Sequence, residues 1–271
     1  MPAIRVIPVA AIVLGLMVFV SCNDKDEKRA SSPTGTAQTA NQKPGEKPDA
    51  DEGEEGEEGP ATPAAVASEK PAPQQTAGKQ FTYNFDSDVA GQPPAKFHSA
   101  KTGGGAPEKW EVTTDPAAPS KPNVVAQTST DQTDYRFPLL ISDEGSFQDL
   151  EVSVKFKAVS GNIDRAGGLV FRLKDPNNYY IVRANALENN YRLYHVVNGR
   201  RSQFAGANFK VTSGEWHELR VEAMGNKIIC YYDGSKKIEA TDETFKDAGK
   251  IGLWTKADSV TYFDDLKVTA R

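Results

Sequence analysis

Several kinds of chemistry are excluded by what the chain lacks. Only two cysteines occur in 271 residues, Cys22 and Cys230. If Cys22 is consumed by modification, Cys230 has no partner and no internal disulfide forms. The three histidines, His98, His195 and His217, stand far apart, so no zinc-type ligand spacing exists. Basic residues are not in excess: 32 Lys and Arg face 37 Asp and Glu, a net charge of −5. A nucleic-acid partner calls for a basic face and is not expected. No glycine-rich loop follows a strand and opens a helix, and Gly103-Gly104-Gly105 reads as a plain flexible loop. No Ser-His-Asp arrangement can be assigned.

What is present changes along the chain. Met1 to Ser21 holds one charge, Arg5, followed by VIPVAAIVLGLMVFV. That run is shorter than the ~20 residues of a membrane-spanning helix. A positive start, an apolar middle and small residues before a cut make a secretory signal. Phe19-Val20-Ser21-Cys22 resembles the bacterial lipobox, with phenylalanine where leucine is usual. Cys22 is therefore the expected lipidation site. The implied address is the cell envelope: a lipid anchor in the bacterial outer membrane, periplasmic or surface-facing, and no other membrane contact.

Residues 22–80 read as a tether. From Asn23 to Gln80 there is no aromatic residue, and the run DADEGEEGEEG lies within it. Such a segment cannot bury enough apolar area to offset chain entropy, so disorder is expected. As a flexible coil it would span roughly 40–45 Å. It also carries the net charge, with 12 acids against 7 bases; residues 81–271 hold 25 against 24.

Residues 81–271 form the expected folded domain. Short β-branched and aromatic runs alternate with turn residues, and no long apolar run has helical spacing. Eleven runs read as strands, among them 149–159, 167–174, 178–188, 191–198, 216–224, 249–255 and 259–268. Asn198-Gly199 and Asp233-Gly234 signal tight hairpins. Ten to fourteen strands in this length predict an all-β fold, a two-sheet antiparallel jelly-roll sandwich. Cys230, inside Ile228-Ile229-Cys230-Tyr231-Tyr232, is expected to be a buried small hydrophobe.

One hairpin carries most of the site reasoning. If Asn189-Asn190 form a two-residue turn, Leu187 faces Arg192, Asn185 faces Tyr194 and Arg183 faces Val196. Tyr180, Val182, Ala184, Tyr191, Leu193 and His195 then share a core face. Arg183, Asn185, Arg192 and Tyr194 share the other. Leu169, Phe171 and Leu173 join the core by parity, which puts Arg172 outside near Arg183. Ile251 and Leu253 likewise turn Trp254 and Lys256 outward. On this parity Glu188 points away, leaving the outer face without a carboxylate unless Glu188, Asp164 or Asp175 reaches in from a loop.

Ala166-Gly167-Gly168-Leu169-Val170-Phe171-Arg172 running into Asn178-Tyr179-Tyr180-Ile181-Val182-Arg183, Trp216-His217-Glu218-Leu219-Arg220-Val221, and Gly249-Lys250-Ile251-Gly252-Leu253-Trp254-Thr255 running into Tyr262-Phe263-Asp264-Asp265-Leu266 resemble the concanavalin A-like lectin/glucanase superfamily. Within it, the 3-keto-disaccharide hydrolase domain, with laminin-G-like relatives, is the closest likeness. The resemblance covers nearly all of residues 81–271 and implies a curved sandwich with one sheet facing sugars. It rests on structural motifs, so it bears on fold more than on activity. The E-x-D-x-x-E strand of family-16-type glucanases is missing, and no catalytic residue is assigned.

The expected site is therefore a glycan-recognising surface of Arg172, Arg183, Asn185, Arg192, Tyr194, Trp254 and Lys256. Aromatic faces suit sugar rings and planar polar groups suit hydroxyl pairs. Clustered arginines would favour an acidic sugar. No cofactor is expected; Asp264-Asp265 are candidate calcium ligands only by likeness to laminin-G relatives. Two rival readings differ in class: a glycoside-cleaving enzyme resembling 3-keto-disaccharide hydrolases, and a structural or protein-binding envelope module.

Overall fold

A computed structural model describes residues 78–271. The expected signal segment 1–21, the lipidation site Cys22 and nearly all of the 22–80 segment lie outside the described residues. Fifteen strands are formed: β1 (Gln80–Tyr83), β2 (Phe97–Gly103), β3 (Trp110–Thr114), β4 (Asn123–Gln127), β5 (Arg136–Ser142), β6 (Leu150–Ser160), β7 (Ala166–Asp175) and β8 (Asn178–Asn185). Then come β9 (Asn190–Val197), β10 (Arg200–Asn208), β11 (His217–Met224), β12 (Lys227–Tyr232), β13 (Ser235–Thr241), β14 (Lys250–Trp254) and β15 (Val260–Ala270). All pairings are antiparallel. One sheet runs β13-β12-β11-β6-β15-β4-β3, with β1 added to β15, and the other runs β10-β9-β8-β7-β14-β5-β2. The all-β two-sheet sandwich is as expected, with four strands beyond the eleven anticipated runs. Those four are β2, β5, β10 and β13: β5 contains Pro138, and the others are polar.

The core follows from period-two alternation. In β6, Leu150, Val152, Val154, Phe156 and Ala158 are buried, while Glu151, Ser153, Lys155 and Lys157 are only half-buried. They meet Leu169, Phe171, Tyr180, Val182, Tyr191, Leu193, Ile251 and Leu253 from the seven-stranded sheet. That sheet differs from its partner in having a second apolar face. Phe137, Leu139, Ile141, Val170, Tyr179, Ile181, Tyr194, Val196 and Trp254 form a separate buried cluster drawn from its strands alone. The candidate site sits on this outer face.

Local backbone chemistry places the strands. Asn198 (φ 49°) with Gly199 (φ 76°), and Asp233 (φ 47°) with Gly234 (φ 74°), make the tight turns expected, matching strand twist with two positive-φ residues. Asp264 and Asp265 form a bulge where the β15–β6 register breaks. Asp264 accepts from Ser120 N and Oγ, both at 2.8 Å, and burial pushes its carboxyl up to about 6. Among the described residues, no three His, Cys, Asp or Glu side chains are grouped to hold a metal ion. Cys230 is fully buried, which pushes its thiol up. His195 stacks on Phe204 and meets Asp242, and His217 stacks on Tyr232 and meets Asp233. At one margin, β13 exposes Ser235, Lys236, Lys237 and Glu239.

Gly252 shows how closely β14 is held. A Cβ there would stand 2.5 Å from the Leu140 carbonyl oxygen on β5. Gly252→Ala is expected to lower stability by about 1–3 kcal/mol through overpacking, read as a lower midpoint in urea unfolding.

Candidate functional site on the outer face of the seven-stranded sheet

The β8–β9 connection is longer than a two-residue turn. Asn185 pairs Asn190, Arg183 pairs Arg192 and Ile181 pairs Tyr194, with Ala186–Asn189 between the strands and Asn189 at φ 52°. The expected pairing is thus displaced by four residues along β8. Four is even, so each residue that stays in a strand keeps the face its parity assigned, while Glu188, now in the loop, does not. Arg183, Asn185, Arg192 and Tyr194 remain on one side.

The floor of this face is aromatic. Phe137 and Trp254 stack with centroids 5.3 Å apart, beside Tyr179 and Tyr194. Burial pushes the Tyr179 hydroxyl up to about 12, and it bonds Thr102 Oγ1 at 2.8 Å. Trp254 is turned outward as expected, yet it is fully buried. Over it lies Arg201 of β10, paired in register with Val196. Its guanidinium is 4.6 Å from the Phe137 and Tyr194 ring centres and 5.7 Å from Trp254.

Loops bring acids to the rim. Glu188, in the 186–189 loop, folds back and accepts from Arg183 Nη2 at 2.9 Å and Asn190 Nδ2 at 3.0 Å. Arg183 also donates to Tyr194 Oη at 3.0 Å and to Asn190 Oδ1. Burial works against ionising Glu188, but the Asn190 and Arg183 contacts prevail and hold its carboxyl below the usual range. Asp164 is 1% exposed. Burial pushes its carboxyl up, against the pull of Lys256 and Arg183. Lys256 Nζ bridges Asp134 at 2.6 Å and Asp164 at 3.1 Å. The loop carrying Asp164 is fixed from below: Asp258 accepts from Asn162, Ile163 and Asp164 backbone N–H groups at 2.7–3.0 Å.

Several expected placements need correction. Arg172 does not join Arg183. A bulge with Arg172 at φ 48° reverses the alternation, so its guanidinium bonds Gln148 O and Phe245 O and meets Asp149. Leu173 moves to the outer cluster for the same reason. Arg192 lies on the expected face but is spent at the sheet margin on Ala207 O, Tyr191 O and Asn208 Oδ1. Asn185 spends its amide internally, donating to Asp164 and accepting from Leu187 and Glu188 N–H groups. The outer face does hold carboxylates: Glu188, Asp164 and Asp134. Asp175 stays in its own turn with Asn177 and Asn178. Arg201 escaped the sequence reading because β10 is polar and was not read as a strand; its position two residues after the Asn198-Gly199 turn was the available signal.

The family model described as the 3-keto-alpha-glucoside-1,2-lyase-like domain matches residues 99–269. A levanase of Bacillus subtilis (strain 168) is 30% identical over 116 residues, covering 42% of this chain and 17% of the levanase. The chain thus spans under a fifth of that relative. Among solved structures, the carbohydrate binding module CBM66 from Bacillus subtilis superposes with a TM-score of 0.51 at 22% identity, over 62% of this chain and 94% of the module. A Bacillus subtilis protein with a galectin-like fold, of unknown function, gives 0.51 at 11% identity, over 73% of this chain and all of that one. These likenesses bear out the concanavalin A-like fold.

Asn185 links the two acid-bearing loops through one amide. Asn185→Ala leaves the Leu187 and Glu188 N–H groups and Asp164 short of partners. A loss of about 1–3 kcal/mol in stability is expected, measured by urea unfolding beside Asn177→Ala, an exposed-turn control expected to lose less.

Proposed function

Because the chain belongs to the 3-keto-alpha-glucoside-1,2-lyase-like domain family, we propose that the outer face of its seven-stranded sheet binds a glycan. The observation that carries this reading is the pair of buried, unpartnered N–H groups on that face, Arg183 Nε and Arg201 Nη1, beside the aromatic floor. A buried donor without an acceptor costs about 1–3 kcal/mol, which a ligand oxygen can recover. Tyr194 backs the face as part of its aromatic floor, and Arg183, Arg201, Glu188 and Lys256 offer fixed donors and acceptors over it. The relatives' names support the same ligand class.

A glycan array followed by calorimetric titration tests the binding. Tyr194→Ala and Glu188→Gln should each weaken the best ligand by roughly tenfold, while Lys155→Ala on the opposite sheet should not. Equal affinity in all four proteins would end the assignment of this face.

A second reading, cleavage, is favoured by Glu188, a rim carboxylate that Asn190 and Arg183 hold below the usual range. In a 3-keto-α-glucoside the C2 hydrogen is acidified by the neighbouring ketone. Glu188, held ionised, takes that proton as the C1=C2 bond forms. The C1–O bond breaks, and the leaving oxygen takes a proton from water. Incubation with a 3-keto-α-glucoside should then release the alcohol and an unsaturated keto sugar, and Glu188→Gln should abolish both products. No release by the wild type removes this reading and leaves binding.

The proposed address is the cell envelope, with Cys22 as the acylated residue. Cys22→Ala should move the protein from the membrane fraction to the soluble one and remove the lipid mass. An unchanged distribution speaks against the anchor.

A further inference from the structure

Four cations lie on the outer face, and three are matched, Arg192 by Ala207 O and Asn208 Oδ1. Arg183 is paired with Glu188, and Lys256 sits between Asp134 and Asp164. Arg201 differs. Among the described residues its side chain makes no hydrogen bond or ion pair, and Nη1 is buried without a partner. The group is nonetheless held in place. Phe137, Tyr194 and Trp254 stack against it, and its backbone N–H donates to Tyr135 Oη at 3.0 Å, which itself bonds Gly199 O at 2.7 Å.

The N–H donors of a guanidinium lie in its plane, and contact with aromatic rings does not use them as hydrogen-bond donors. A guanidinium oriented in this way is a fork for a planar anion, and a carboxylate accepts two parallel N–H bonds from it. A neutral sugar gains no such pairing and must share the rings with the cation. We propose that Arg201 sets the specificity of this face, selecting glycans that carry a carboxylate, the uronic acid class, over neutral ones. This rests on the glycan-binding reading and adds the ligand's charge to it. The arginines expected to serve this purpose, Arg172 and Arg192, are spent on carbonyls, Asp149 and Asn208.

The test uses the full-length protein and two probes: a uronic acid oligosaccharide, and the same oligosaccharide with its carboxyl groups reduced to alcohols. In calorimetry the wild type should bind the acidic probe roughly tenfold more tightly, as a charge-assisted hydrogen bond implies. Arg201→Gln should bring that ratio to within about twofold, and Arg201→Lys, which keeps the charge without the fork, should fall between. Unchanged thermal melting of both variants confirms that the fold is intact. A ratio near one in the wild type, or an undiminished ratio in Arg201→Gln, overturns the specificity while leaving glycan binding in place. Failure of the wild type to bind either probe, or any glycan on an array, removes the binding reading and this one with it.

Discussion

Lys256 is the tie on which the geometry of the outer face depends. Its ammonium lies between Asp134 and Asp164, and its side chain is only 12% exposed. An ion pair this enclosed holds only when its members are also hydrogen-bonded. Asp164 meets that condition through Asn185. The same β14–β15 connection supplies Asp258, whose carboxylate accepts the backbone N–H groups of 162–164. One short segment thus grips the Asp164 loop by both backbone and side chain. Asn185 passes the constraint to the 186–189 loop, and Glu188 passes it to Arg183.

This chain of contacts explains why one constellation serves two readings. Recognition requires donors and acceptors fixed relative to an aromatic surface, so that little ordering remains to be done when a ligand arrives. Elimination requires the same fixity and, in addition, an ionised carboxylate to take a proton. The Asn190 and Arg183 contacts on Glu188 favour that form. On either proposed reading the face would bind the sugar, and chemistry would turn on whether Glu188 reaches an acidic C–H.

The sandwich was legible because alternation is local. Val182 and Arg183 go to opposite sides whatever their partners, and a pairing error of four residues left intact the face assignments of the residues that remain in the two strands. Features made by departures from alternation were not legible. The bulge at Arg172 shows no glycine, proline or composition signal, yet it reverses Arg172 and Leu173 together. Glu188 enters the site because its loop is four residues long, and loop length was the quantity the Asn-Asn pair obscured. Arg201 lies in a strand whose polar sequence reflects a sheet margin, and β5 was hidden by Pro138 despite being buried throughout. Polarity and proline masked strands that tertiary contacts supply.

The margin formed by β13 bears on how copies of this molecule meet. An unpaired strand edge invites another chain to extend the sheet. Here the edge presents Lys236 and Lys237, with Glu239 already engaged by Lys227 and Lys236. A second copy approaching in the same way would set lysine against lysine with no free acid between them. That edge is therefore a poor template for a second copy of the same strand.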